Sequence, residues 1–247
     1  QHTTNTRKEG HLENKEAVTI VIPAYNAENF ITDAVKSCFT QIYRPLQVVV
    51  VNDCSTDNTP SIVTELSQTL QSRDFELRLV NLEANKGAAN ALNEGFSHSK
   101  GAFLCWLSAD DMFIDKKKIS KQVTCMKKND AVWSYCNYAY TGPDCASAKL
   151  NKPCYIPFLS FLDPLFIRDS ELRLMLLLFR NPINGSSIMI NKNTVKKYGQ
   201  FDPATRNVDL DGDLWMRYTA LNLRLAMVKG AFVFYRVHSM QTSKKEV

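Results

Sequence analysis

Residues 18–59 read VTIVIPAYNAENFITDAVKSCFTQIYRPLQVVVVNDCSTDNT, and the changes of local period inside this one stretch decide the fold. Val18 to Ile22 is rich in β-branched residues and predicts a buried strand ending at Pro23. Asn26 then offers a cap to a helix, because Phe30, Ile31, Ala34, Val35, Cys38 and Phe39 recur at the three-to-four spacing of a single helical face. Leu46 to Val51 is nearly all valine and predicts a strand covered on both sides, as central parallel strands are. Thr59-Pro60 opens a second helix, with Ile62, Val63, Leu66 and Leu70 as its buried stripe.

The pattern repeats downstream. Leu77 to Leu82 is the third strand, Gly87 to Phe96 the third helix and Phe103 to Leu107 the fourth strand. Consecutive β-α units of this length predict an α/β fold, a doubly wound, mostly parallel sheet in a single domain. In the second half, strands are expected at Val132 to Tyr140 and Ser187 to Ile190, and helices at Ser170 to Phe179 and Asp209 to Leu221. Leu225 to Val228 and Phe232 to Val237 read as two closing strands. Residues 141 to 168 carry Pro143, Pro153, Pro157 and Pro164 and predict a long functional loop. Residues 1 to 16 read as a flexible lead or linker, 17 to 240 as the domain and 241 to 247 as a tail.

Composition narrows the class. With 247 residues, 45% hydrophobic and 22% charged, the chain can bury a full core, which excludes disordered, collagenous and small disulfide-stapled classes. Thirty basic against 25 acidic residues leave +5, which suits an anionic small molecule and does not call for nucleic acid. The lysine run Lys116, Lys117, Lys118, Lys121, Lys127 and Lys128 reads as the solvated face of a helix, opposite Ile119, Val123 and Met126. Seven cysteines, an odd number without a C-x-x-C pair, predict reduced thiols in a cytoplasmic compartment. No apolar run approaches the roughly 20 residues that span a bilayer. The stripe Leu172, Met175, Leu176 and Phe179 reads as core or lid, with a peripheral membrane contact as the alternative.

In open α/β sheets, ligands sit beyond the carboxyl ends of the strands. Here those positions hold Pro23-Ala24-Tyr25-Asn26, Asn52-Asp53-Cys54-Ser55-Thr56-Asp57, Asn85-Lys86-Gly87 and Ser108-Ala109-Asp110-Asp111. None is G-x-G-x-x-G or a P-loop, so diphosphate charge must be neutralised other than by a glycine-rich cradle. The adjacent carboxylates Asp110 and Asp111 would repel unless compensated, which suits Mg²⁺ or Mn²⁺ bridging a diphosphate. The alternative is that Asp111 caps the following helix. A second acidic cluster, Asp209, Asp211 and Asp213, fails as an EF-hand, since Leu214 falls where Gly is needed and Ala220 where Glu is needed. Some of its carboxylates complement a helix start, and one can project as a general base. Asn184-Gly185-Ser186 reads as a tight turn near the acceptor.

These segments, in this order, resemble the inverting family 2 glycosyltransferases of GT-A fold, a Rossmann-like nucleotide-sugar-binding architecture. The resemblance is carried by VTIVIPAYN, LQVVVVNDCSTDNT, NKGAANALNEGFSHSKGAFLCWLSADD, NPINGSSIMINKNTVKKYGQFD and DGDLWMRY, and covers residues 17 to 240. It implies a metal-dependent transfer, using Mn²⁺ or Mg²⁺, of a sugar from a nucleotide diphosphate sugar, UDP-linked, to an acceptor hydroxyl on a glycan, lipid-linked or protein acceptor. By the same resemblance Pro23, Tyr25, Asp53, Gly87, Ser108 and Asp110 bind the donor, and Asp110, Asp111 and His238 hold the metal. Asp211 is the base with Asp213 its rival, and Trp215 lies near the acceptor. Ser108 replaces the first carboxylate of D-x-D, Leu210 a frequent Glu, Cys54 a frequent Gly and Leu92 a frequent Arg. The first two departures keep open the alternative of a catalytically impaired nucleotide-sugar-binding module within a larger protein, where further domains have a place.

Overall fold

The structure is a computed structural model that describes residues 16–143, 163–179, 181–207, 209–239 and 241. Four strands form the predicted parallel half of the sheet: β1 (Val18–Ala24), β2 (Leu46–Asn52), β3 (Phe75–Asn81) and β4 (Phe103–Trp106). The full order is β3-β2-β1-β4-β7-β6-β8-β5, with β6 (Trp133–Thr141) and β8 (Leu225–Arg236) parallel to each other. Two short strands, β5 (Met112–Phe113) and β7 (Met189–Asn191), run antiparallel to their neighbours.

Period-two alternation fills both faces. Ile20, Ile22, Val48 and Val50 point into one core with helices α1 (Ile31–Phe39), α2 (Thr59–Thr69) and α4 (Lys118–Lys128). Val21, Val49 and Val51 point into the other, against α3 (Ala88–Ser97), α6 (Ser170–Phe179) and α8 (Leu210–Ala220). All seven residues of β2 are buried, as the valine run requires. Gly95 on α3 lets that helix lie directly on β1, since a Cβ there would sit 2.2 Å from Val21 Cγ1.

Several expectations need correction. Asn26 caps no helix: α1 begins at Ile31, and Asn26 adopts φ 49° in a cross-loop contact described below. The two closing strands are one, because the Lys229-Gly230 interruption is absorbed as a bulge against Cys136 and Asn137, with Gly230 at φ 117°. Of the proline-rich stretch, 144–162 lies outside the described residues and Asp163–Arg168 is a helix, α5, not loop. Two further elements, β5 and helix α7 (Lys192–Tyr198), are too short to leave a periodic signal. On α6 the buried residues are Arg173 and Leu177, whereas Met175 and Phe179 face outward. Lys118 is turned inward from the lysine face, fully buried with Nζ 4.1 Å from the Phe113 ring centroid. The described cysteines, Cys38, Cys54, Cys105, Cys125 and Cys136, are free thiols; Cys145 and Cys154 lie outside the described residues.

Candidate functional site

Chain direction brings the polar turns to one edge. The ends of β1, β2 and β4 lie together because those strands are parallel and in register. Helix α8 precedes a strand parallel to β6, so its N-terminus lies at the same edge, where it is stitched to the start of α3. Ala89 N–H donates to the Arg206 carbonyl at 2.9 Å and Ala88 N–H to Asn207 Oδ1 at 2.9 Å.

The first two turns are laced together. Asn26 N–H donates to Ser55 Oγ at 3.0 Å, and Asn26 Oδ1 accepts from Thr56 N–H at 2.8 Å. Ala27 N–H donates to Thr59 Oγ1, Glu28 N–H to Asp57 Oδ2 and Asn58 N–H to Glu28 Oε2. This lattice satisfies backbone donors that no strand or helix pairs, and it holds Tyr25, 53% exposed, at the rim beside Pro23.

Asp53 is 3% exposed, and its two oxygens accept from Lys86 N–H and Gly87 N–H, each at 2.8 Å. The carboxylate thereby fastens the turn that starts α3. Gly87 is required there, with φ 86° and the Arg206 Cβ 3.1 Å from any added Cβ.

Beyond β4, the acidic pair divides its work. Asp110 Oδ2 lies 3.0 Å from His238 Nε2, and the imidazole packs 4.4 Å from the Phe30 ring. The Arg236 guanidinium lies 4.9 Å from the same ring and pairs with Asp33 at 3.0 Å. His238 Nδ1 is buried with no hydrogen-bond partner among the described residues, so one face of this donor set is unsatisfied. Asp111, read from the sequence as a ligand beside Asp110 or as a helix cap, is turned into the interior, and the following helix is capped at Lys117 instead. Asp111 is 1% exposed, its Oδ2 accepts from Ser186 Oγ at 2.5 Å and its Oδ1 from Arg236 N–H at 3.1 Å. Burial, and then the Asp110 charge, push its carboxyl well above the usual range. Ser108, half-buried, donates its N–H to Ser186 Oγ at 3.0 Å.

The acidic residues of α8 separate similarly. Burial pushes Asp211 up to about 6, and the nearby Asp209 adds to the shift against the hydrogen bond from Gly212 N–H. Asp213 instead receives Arg217 Nε at 3.0 Å and Nη2 at 2.8 Å, while Arg217 also holds the Gln200 carbonyl. Trp215 cannot touch an acceptor in this conformation. It is fully buried, stacked 5.5 Å from Trp133, with its indole N–H on the Ile183 carbonyl.

Asp110 and His238 therefore meet directly, Asp53 meets Gly87, and Asp211 stands at the same edge on its own helix. Asp111 and Trp215 are interior residues. Sequence reading missed Arg206 and Arg236 and took Phe30 only as part of a helical stripe and Ser186 only as part of a tight turn, because each is tied to its partner across dozens of positions and carries no spacing signature. Among the described residues no group of three or more His, Cys, Asp or Glu side chains converges as a complete metal cage.

Comparison with known proteins bears on the family and the fold. Relatives include an uncharacterized glycosyltransferase of Rickettsia typhi, 29% identical over 231 residues, spanning 92% of this chain and 65% of its own length. Another, from Rickettsia felis, is 33% identical over 234 residues, spanning 92% of this chain and 35% of its own length. The chain thus covers less than two thirds of these relatives. Two solved structures share the fold: S. aureus TarS with UDP, at TM-score 0.66 and 18% identity over 90% of this chain and 60% of that one, and a Pyrobaculum calidifontis mannosyltransferase with GDP-Man and Mn²⁺, at 0.68 and 20% over 94% and 60%. The glycosyl transferase family 2 model matches residues 19–180. With that match running from β1 through α6 and the polar turns gathered on one rim, the chain belongs to glycosyl transferase family 2.

Proposed function

We propose that the domain at residues 17–240 transfers a sugar from a nucleotide diphosphate sugar to an acceptor hydroxyl, with inversion at the anomeric carbon. The observation that carries this reading is the pairing of two opposed chemistries on one rim: an Asp110–His238 donor pair, and a separate carboxyl, Asp211, raised to about 6. A base titrating near neutrality accepts a proton effectively and still ionises at working pH.

The donor lies across the turns after β1, β2 and β4. Tyr25 and Pro23 contact the nucleoside, Ser108 and Asp110 lie toward the diphosphate, and Asp53 acts largely through the Gly87 turn it fastens. A uridine donor is the proposed choice, with the TarS–UDP complex and the shared fold in support. Asp110 and His238 fit a divalent cation: they would hold it through one hard carboxylate oxygen and one imidazole nitrogen, a pair that suits Mn²⁺ better than Mg²⁺. When bound, the ion supplies positive charge where the departing nucleoside diphosphate becomes more negative. Asp211 removes the proton of the attacking hydroxyl, which displaces the diphosphate in line. No covalent enzyme intermediate is needed. The acceptor is a glycan, lipid-linked or protein hydroxyl.

Release of nucleoside diphosphate from a panel of nucleotide sugars with Mn²⁺ tests the proposal. Asp211→Asn should lower release by at least about a thousandfold, within the range that bases and their geometry contribute, with donor binding retained. Asp213→Asn should keep most activity, since its carboxylate is committed to Arg217. Equal activity in Asp211→Asn and wild type would contradict the assigned base, and donor binding with no turnover in wild type would favour the binding-module alternative.

A further inference from the structure

Asp111 and Ser186 join three segments that are distant in sequence. Ser186 Oγ donates to Asp111 Oδ2 at 2.5 Å and accepts from Ser108 N–H at 3.0 Å, while Asp111 Oδ1 accepts from Arg236 N–H at 3.1 Å. Ser186 is itself fixed. It is 1% exposed in a 3-10 turn, Gly185–Ser187, whose start is capped by Asn184 Oδ1 accepting from Ser186 N–H at 2.9 Å. The Ser187 hydroxyl returns to the Asn184 carbonyl at 2.6 Å, and Gln122 Nε2 donates to the Ser187 carbonyl at 2.9 Å. Gly185 brings the turn so close to β4 that an added Cβ would lie 2.1 Å from the Trp106 ring.

Burying a carboxylate costs several kcal/mol, and an apolar pair of similar volume would be cheaper. What the buried cluster fixes is geometry. Asp110 precedes Asp111 directly and His238 follows Arg236 by two residues, and the two meet at 3.0 Å. We propose that Ser186 is a positioning residue which, through Asp111, sets the Asp110–His238 spacing and so the coupling between cation and nucleotide binding. This rests on the reading of Asp110 and His238 as the cation pair. Residues behind a metal ligand commonly change metal affinity by about 10- to 100-fold when removed.

The test uses UDP and GDP as probes, measuring nucleotide Kd by calorimetry with and without Mn²⁺. In wild type, Mn²⁺ should tighten binding of the accepted nucleotide about tenfold or more. In Ser186→Ala that tightening should fall to about threefold or less, while the metal-free Kd stays within about twofold of wild type. A residue with a merely structural role would lower the melting temperature and leave the Mn²⁺ effect intact, and that result overturns the proposal. Asp110→Asn separates the two claims. If it abolishes the Mn²⁺ effect while Ser186→Ala keeps it, the positioning role alone fails. If Asp110→Asn also keeps the effect, or wild type shows none, the cation pair itself is misassigned and the proposal falls with it. Should Ser186→Ala not fold, Ser186→Cys, with similar size and a weaker donor, decides: partial loss of the Mn²⁺ effect supports the role and full retention overturns it.

Discussion

Asp211 is held against its own solvation, since burial raises its carboxyl to about 6 while an unfolded chain would ionise it near the ordinary aspartate range. Two consequences have definite signs. Transfer should rise with pH through about 6 and level above it, because only the ionised form accepts a proton. Stability moves the other way: between the unfolded and folded values the native state binds the extra proton, so its relative stability declines as pH climbs from about 4 to 6. Asp211→Asn should therefore raise stability by about 1–3 kcal/mol at pH 8, with the gain vanishing below about pH 4. Denaturant melts at the two pH values check this, and an equal effect at both would contradict the assigned cause. At this scale much of the candidate site was legible, because Asp53, Asp110 and Asp211 each stand next to a predicted strand or helix end. Ser186 was not, since a serine in a turn forms its decisive bond to a residue 75 positions away.

Among elements, legibility followed length and burial. The valines of β2 required a strand covered on both faces, and α1, α2 and α3 showed their apolar stripes. The two-residue β5 and the bulge in β8 depend on pairings that only the assembled sheet supplies. Helix α4 shows the limit of period alone. Its lysines read as solvated, yet Lys118 occupies the inner face and its Nζ has no hydrogen-bond partner among the described residues. Lys118→Met keeps the volume and removes the stranded charge, so it should stabilise the fold by about 1–2 kcal/mol in chemical denaturation. A loss of stability would mean that the ring contact with Phe113 outweighs the desolvation. The turn before β7 is equally exacting. Gly185→Ala drives a methyl into Trp106 and should cost about 2–3 kcal/mol, measured as a lower denaturation midpoint with unchanged slope.

At the largest scale, the described residues form one eight-stranded sheet with a core on each face, and the polar turns cluster where parallel strands end. No helix among the described residues is long and apolar enough to cross a membrane. Direction of the chain explains why the site was legible: strand ends must gather in a parallel sheet, whatever the loops do. Direction could not reveal which of two neighbouring carboxyls turns inward, because that depends on a hydroxyl arriving from another segment, as Asp111 and Ser186 show. A crystal of the protein grown with UDP and Mn²⁺ examines the central claim most directly. The ion should lie within about 2.0–2.3 Å of Asp110 and His238 atoms, with the uracil beside Tyr25 and Asp211 facing open space beyond the diphosphate. Nucleotide bound away from the ends of β1, β2 and β4, or an ion that touches neither Asp110 nor His238, would contradict the account.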